Sequence, residues 1–131
     1  MNIASIDVGL KRIGLALCLK NSSIVIPKEA VLRKNRNQAS YEVKEFLDTW
    51  NIDKLIVGLP KGGSSEEEMQ KRIKHFVSLI DFNGEIVYID EYGTSIEAKE
   101  LTKGVFKHKK DGKVDSISAK LILERYLQSN K

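Results

Sequence analysis

A chain of 131 residues, 41% hydrophobic and 31% charged, holds material for one domain over residues 1–131 with a modest core, and is neither disordered nor fibrous in composition. No apolar run approaches the roughly 20 residues of a membrane span, and the lone Cys18 excludes an internal disulfide, as suits a reducing cytoplasm. The net charge of +4 mildly favours a polyanionic partner.

The chain opens on an apolar strand, Ile3 to Ile6, that delivers Asp7 to its own end. No basic leader or cleavage pattern precedes this strand, so no signal peptide is expected. Gly9 predicts a sharp turn through a positive φ, and Lys11 and Arg12 follow it. From Ile13 to Leu19, large apolar residues alternate with Gly14, Ala16 and Cys18. That period of two predicts a second strand, antiparallel to the first, whose small-residue face would let a helix pack closely. A third strand is expected over Ile24 to Val31, with Pro27 marking an edge or a bulge.

A polar, basic loop (Arg33 to Asn37) leads to a helix with Val43, Phe46, Leu47 and Trp50 on one stripe and Asn51 at its C-terminal cap. The run from Lys54 to Pro60 reads as a strand buried on both faces. Ser65 and Glu68 form a capping-box pattern ahead of a helix that buries Met69, Ile73, Phe76, Val77 and Ile80. Asn83-Gly84 turns the chain into another buried strand, Glu85 to Glu91. Thr94 and Glu97 repeat the capping box and open a short helix ending near Gly104. Lys103, Lys107, Lys109, Lys110 and Lys113 then crowd around His108. A last helix begins near Asp115 and aligns Ala119, Ile122, Leu123, Tyr126 and Leu127. Trp50, Tyr88 and Tyr126 fall on apolar stripes and read as core.

The order β-β-β-α-β-α-β-α-α predicts an α/β/α domain: an antiparallel meander, then parallel strands joined by helices on both faces. Sites in such sheets form outside the carboxyl ends of the parallel strands. Asp7 and Glu91 sit at two such ends, and the small residues Ser118 and Ala119 would let the last helix bring Asp115 to them. Acids two strands apart start roughly 10 Å from each other, close to the span of a pair of divalent ions with their ligands. Strand boundaries leave Asp90 as an alternative to Glu91, and Asp115 as a plain helix cap. Converging carboxylates repel unless cations lie between them, which points to Mg²⁺ or Mn²⁺ and to phosphodiester chemistry.

Several stretches together carry a resemblance to a known family. They are Asp7-Val-Gly-Leu-Lys-Arg-Ile-Gly-Leu-Ala16, Val57-Gly-Leu-Pro60, Asp90-Glu91 with Thr94-Ser95 and Ala98, and Asp115 ahead of Ala119 and Ile122-Leu123. In order and spacing they resemble the YqgF family of bacterial pre-16S rRNA nucleases, related to Holliday-junction resolvases. The resemblance covers essentially the whole chain. It implies an RNase H-like fold with a five-stranded mixed sheet of order 3-2-1-4-5. It also implies a metal-dependent nuclease maturing the 5′ end of small-subunit rRNA, with Asp7, Glu91 and Asp115 as its catalytic and metal-binding acids. Tyr92 and Gly93 depart from it, because an Arg usually follows the Asp-Glu pair; the loop after Pro60 is short, and Ser118 replaces a common Ala.

Under that reading Lys11, Arg12, Lys107, Lys109, Lys110 and Lys113 contact phosphates; taken alone, the segment around His108 and the smaller cluster of Arg33, Lys34 and Arg36 both read as solvated loops, and Lys11 as a hairpin-loop cation. His108 is a candidate proton donor to the leaving group, or simply solvated. The expected partners are precursor rRNA or branched DNA and ribosome-assembly intermediates, without a membrane, for a cytoplasmic monomer or weak homodimer. Junction-DNA resolution is the nearest rival activity, and a non-catalytic nucleic-acid-binding module is another. An Asp-x-Gly turn between strands also opens the phosphate-binding half of actin-like ATPases and sugar kinases, but those need a second half that this length does not supply. Gly58 to Ser64 is not a P-loop, since no Lys directly precedes the Ser.

Overall fold

The computed structural model describes residues 1–60, 66–90 and 116–129. Five strands form one sheet, and their chain order is β1 (Ile3–Val8), β2 (Arg12–Cys18), β3 (Ile26–Leu32), β4 (Lys54–Leu59) and β5 (Glu85–Asp90). Across the sheet the order is β3-β2-β1-β4-β5. β1 is antiparallel to β2, with Asp7 opposite Gly14, and parallel to β4, with Ile6 opposite Val57. β4 continues parallel to β5, with Val57 opposite Tyr88. The meander and the parallel half expected from the sequence are both present.

Helices α1 (Arg36–Thr49) and α2 (Glu66–Ile80) cover one face, and α3 (Ile117–Ser129) covers the other. Alternation along β1 sends Ala4, Ile6 and Val8 into the larger core with Val43, Leu47, Phe76 and Val77. On the opposite face Ala16, Cys18 and Ile56 meet Ala119, Ile122 and Leu123 of α3. The small residues of β2 therefore admit a helix, as their pattern predicts. At the far end of α3, Lys54 Nζ donates to the Tyr126 hydroxyl at 2.8 Å and lies 3.5 Å from Glu85. The Tyr126 bond is the main cause holding the ammonium pKa above its ordinary value. Among the described residues no helix is long and apolar enough to cross a membrane.

Helix α1 starts inside the stretch expected to be loop. Asn35 Oδ1 accepts from the Gln38 N–H at 2.7 Å while the Gln38 side chain reaches back to the Asn35 N–H, a capping box that fixes the first turn at Arg36. At its other end Asn51 takes a left-handed φ of 50°, its N–H donating to Asp48 and that of Ile52 to Leu47. This is a Schellman exit sealed by buried Ile52 and Leu47. β3 begins two residues later than expected, leaving Ile24 exposed, and Pro27 lies on the edge strand where its missing N–H costs least. β5 is also an edge strand, so Tyr88 is 36% exposed rather than core. An unbroken apolar run marks a parallel strand but does not say whether both flanks are occupied.

Candidate functional site

β1 ends at the carboxyl edge of the sheet, and its alternation decides which side each residue serves. Ala4, Ile6 and Val8 fill the larger core, whereas Ser5, fully buried, donates from Oγ to the Ala119 carbonyl of α3 at 2.6 Å. Asp7 follows Ser5 by one period and so belongs to the α3 side, half-buried and opposite Gly14.

The turn beyond it is held by backbone bonds. The Gly9 N–H donates to the Arg12 carbonyl at 3.0 Å, and the Arg33 N–H to the Lys11 carbonyl at 2.8 Å. A Cβ on Gly9 would lie 2.6 Å from the Arg12 oxygen, while its φ is outside the left-handed region. Glycine is required here for close approach, and the positive φ expected from the sequence is corrected. Lys11 is exposed at this turn, and Arg12 is half-buried at the start of β2.

The second fixed point is Ser116, fully buried just before α3. Between Ile13 and Leu15 the β2–β3 register shifts, so that Ile13 faces Val31 but Leu15 faces Lys28. Such an irregularity disrupts the ladder locally. The Ser116 Oγ accepts from the Leu15 N–H at 3.0 Å and donates to the Lys28 carbonyl. Its own carbonyl accepts from the Lys120 N–H at 2.9 Å, the first bond of the helix. One hydroxyl thus stitches the start of α3 to the sheet at Leu15, the neighbour of Gly14. Sequence reasoning missed Ser116, because nothing local distinguishes a serine that mends a distant ladder from one that caps a helix.

Of the candidate site residues, the structure places Asp7, Lys11 and Arg12 around this turn. Glu91, Asp115, Lys107, Lys109, Lys110 and Lys113 lie outside the described residues, as do Tyr92, Thr94, Ser95 and His108. Among the described residues no three His, Cys, Asp or Glu side chains gather as a metal site. On the opposite side of β1, Val8 and Gly9 border a cleft of about 350 Å³ that also contains Arg33, Arg36 and Arg72.

A family model described as "RuvX: Holliday junction resolvase" matches residues 1–129. A relative from Sulfurovum sp. (strain NBC37-1), named "Putative pre-16S rRNA nuclease", is 64% identical over 127 residues, covering 97% of this chain and 98% of its own. One of the same name from Campylobacter jejuni subsp. jejuni serotype O:6 is 58% identical over 127 residues, covering 96% and 98%. Among solved structures, T. thermophilus RuvC in complex with Holliday junction substrate is similar at a TM-score of 0.63 and 10% identity, covering 100% of this chain and 97% of that one. The fowlpox virus Holliday junction resolvase follows the same course at a TM-score of 0.58 and 16% identity, covering 98% and 99%. Identities this low speak for the fold alone, a RuvC-like RNase H fold built on the 3-2-1-4-5 sheet. The relatives and the family match decide membership: the chain belongs to the RuvX family, also called YqgF.

Proposed function

We propose that the chain is a divalent-metal-dependent nuclease that processes pre-16S rRNA at its 5′ end, a single domain in which Asp7, Glu91 and Asp115 form the ligand set. The observation that carries this reading is the 64% identity, over nearly the full length of both chains, to the Sulfurovum relative of that name. Geometry supports the acid set from the described side. Asp115 is one peptide, about 3.8 Å between Cα atoms, from Ser116, which is bonded to Leu15 beside the Gly14 partner of Asp7. Glu91 directly follows β5, where Val87 and Ile89 pack on the α3 side.

The donor chemistry fits the cation. Asp7 is a half-buried carboxylate at a strand end, and a set made only of carboxylate oxygens suits a hard ion, Mg²⁺ or Mn²⁺. When bound, the metal supplies a water activated at neutral pH and charge for the leaving oxygen. Asp7 is held through its backbone: it pairs with Gly14 of β2, and the ladder to β4 ends one residue before it at Ile6, so its strand needs little reorganisation. Lys11, Arg12, Lys107, Lys109, Lys110 and Lys113 hold the strand by its phosphates, a contact that is salt-sensitive and carries no sequence information.

End-labelled pre-16S rRNA incubated with Mg²⁺ tests this reading. Wild type is expected to cut, and Asp7→Asn to lose cleavage below detection while melting at nearly the same temperature; full cleavage by Asp7→Asn removes Asp7 from the mechanism. A second reading, resolution of four-way DNA junctions, is favoured by the description of the matching family model. A junction assayed beside the RNA decides between them, through whichever substrate is cut at the lower enzyme concentration.

A further inference from the structure

Arg33 and Arg36 belong to the segment that reads from sequence as a solvated loop; Arg36 is indeed exposed, but Arg33 is half-buried, and both line one cleft. That cleft, about 350 Å³, lies where the β1–β2 turn, the start of α1 and the exposed side of α2 meet. Its floor is apolar, from Val8, Ile73 and Phe76, and its walls carry Arg33, Arg36, Arg72 and His75. No carboxylate lines it among the described residues.

Arg33 is held in advance of any ligand. Its Nη1 donates to the Gly9 carbonyl at 2.9 Å, and its guanidinium lies 5.1 Å from the centre of the Phe76 ring. One bond out of five N–H donors leaves most of the fork available. Neither Arg33 nor Arg36 has a carboxylate partner among the described residues, whereas Arg72 pairs with Glu68 at 2.8 Å. Three guanidinium groups and an imidazole over an apolar floor, with one acid engaged at the rim, form a receptor for a tetrahedral oxyanion. Guanidinium forks match phosphate oxygens in pairs, and the apolar floor strengthens the attraction.

The position selects which phosphate. Asp7 and Val8 are consecutive in β1, with Asp7 serving the α3 side and Val8 the cleft. Among the described residues the Gly9–Leu10 turn, with Leu10 70% exposed, joins the two sides at the edge of the sheet. We propose that the Arg33–Arg36–Arg72 cleft binds a backbone phosphate of the same nucleic-acid strand whose scissile bond lies at Asp7, so that the strand bends over the Gly9–Leu10 turn. The proposal rests on the nuclease reading above and adds to it a second anchoring point on the opposite side of β1.

Fluorescence anisotropy of a labelled pre-16S RNA oligonucleotide, in EDTA so that nothing is cut, tests it across a salt series. The double variant Arg33→Gln/Arg36→Gln is expected to bind about tenfold more weakly, with the slope of log affinity on log salt reduced by about one to two. Lys20→Gln/Lys44→Gln removes the same charge away from the cleft and is expected to bind like wild type. Arg33→Lys, which keeps charge but not the fork, should fall between. Thermal melts of each variant establish that the fold survives. Equal weakening by the two double variants overturns the cleft and leaves only net charge; so does wild-type affinity in Arg33→Gln/Arg36→Gln when wild type itself binds and cuts. Wild type that neither binds nor cuts the RNA overturns the nuclease reading, and the cleft with it.

Discussion

The two faces of the sheet are built on different principles. Under α1 and α2 the interface is a continuous apolar core, in which Leu47, Phe76 and Val77 close over Ile6, Ile13 and Val57 with almost no polar atom inside. Under α3 the apolar patch is smaller, and the buried hydroxyls of Ser5 and Ser116 bond helix to strand. Apolar contacts are tolerant of small slides, since burial has no direction. Hydrogen bonds between a helix and particular strand residues fix position to a fraction of an ångström. The first face therefore supplies stability, and the second supplies placement on the side where Asp7 stands. This division predicts that stability and cleavage can be damaged separately.

The largest expected effect on stability comes from the first face. Phe76 is 1% exposed within the larger core. Phe76→Ala removes a ring and leaves a cavity, costing about 3–5 kcal/mol, read as a fall in the urea midpoint with the slope unchanged. Arg33 would also lose the ring beneath it, so RNA affinity should weaken as well. The rate of cutting at saturating RNA and at a temperature where the variant is folded should change little. A collapse of that rate would break the comparison, because it would make the α1/α2 side part of the catalytic machinery.

A smaller stability cost and a larger loss of cleavage are expected from Ser116→Ala. The change strips the Leu15 N–H and the Lys28 carbonyl of a buried partner, at about 1–3 kcal/mol. On the proposed ligand set Ser116 acts as a positioning residue: its bonds fix the origin of α3, to which Asp115 is joined by one peptide. The rate at saturating RNA is expected to fall at least tenfold while RNA affinity stays near wild type. A purely structural role would show the stability loss without that split, and Ser116→Thr, which retains the hydroxyl, should recover part of the rate.

How much of this was legible depended on whether the information was local. The small face of β2 (Gly14, Ala16, Cys18) announced a close helix, and α3 is there. Asn51 announced the end of α1 and carries the left-handed φ. The box of Asn35 and Gln38 is just as local, but it hid within a basic loop and moved the start of α1 forward. Ser116 was illegible, because its function is set by a ladder irregularity between strands about a hundred residues earlier in the chain. Arg33 was misjudged for the same reason: no spacing within Arg33–Arg36 reveals that Phe76 and the Gly9 carbonyl will converge on it. Periodicity assigns a residue to a face; only the fold says what waits on that face. Of the three proposed acids, Asp7 is placed on the α3 side by that alternation, and Glu91 and Asp115 lie outside the described residues.

Cys18 offers the finest reading of the difference between the faces. It is 5% exposed in the α3 interface, and its Sγ donates to the Ser22 carbonyl at 3.3 Å. Burial pushes its thiol pKa up, so the neutral form is favoured in the folded chain. This contribution to stability is complete below the thiol's ordinary pKa and is lost as pH rises through the higher folded value. Because the thiolate is the reactive species, an alkylating reagent at neutral pH should label native Cys18 only when its cover opens, a cover that α3 shares with Val25 and the Ser22 carbonyl. Under fast reclosing the labelling rate reports the free energy of that opening. If α3 lifts on its own, Ser116→Ala should accelerate labelling by about one decade for each 1.4 kcal/mol it costs, while Phe76→Ala should leave the rate nearly unchanged. Equal acceleration by both variants would mean that the two faces open only together, and the division between stability and placement would then have no counterpart in the dynamics of the chain.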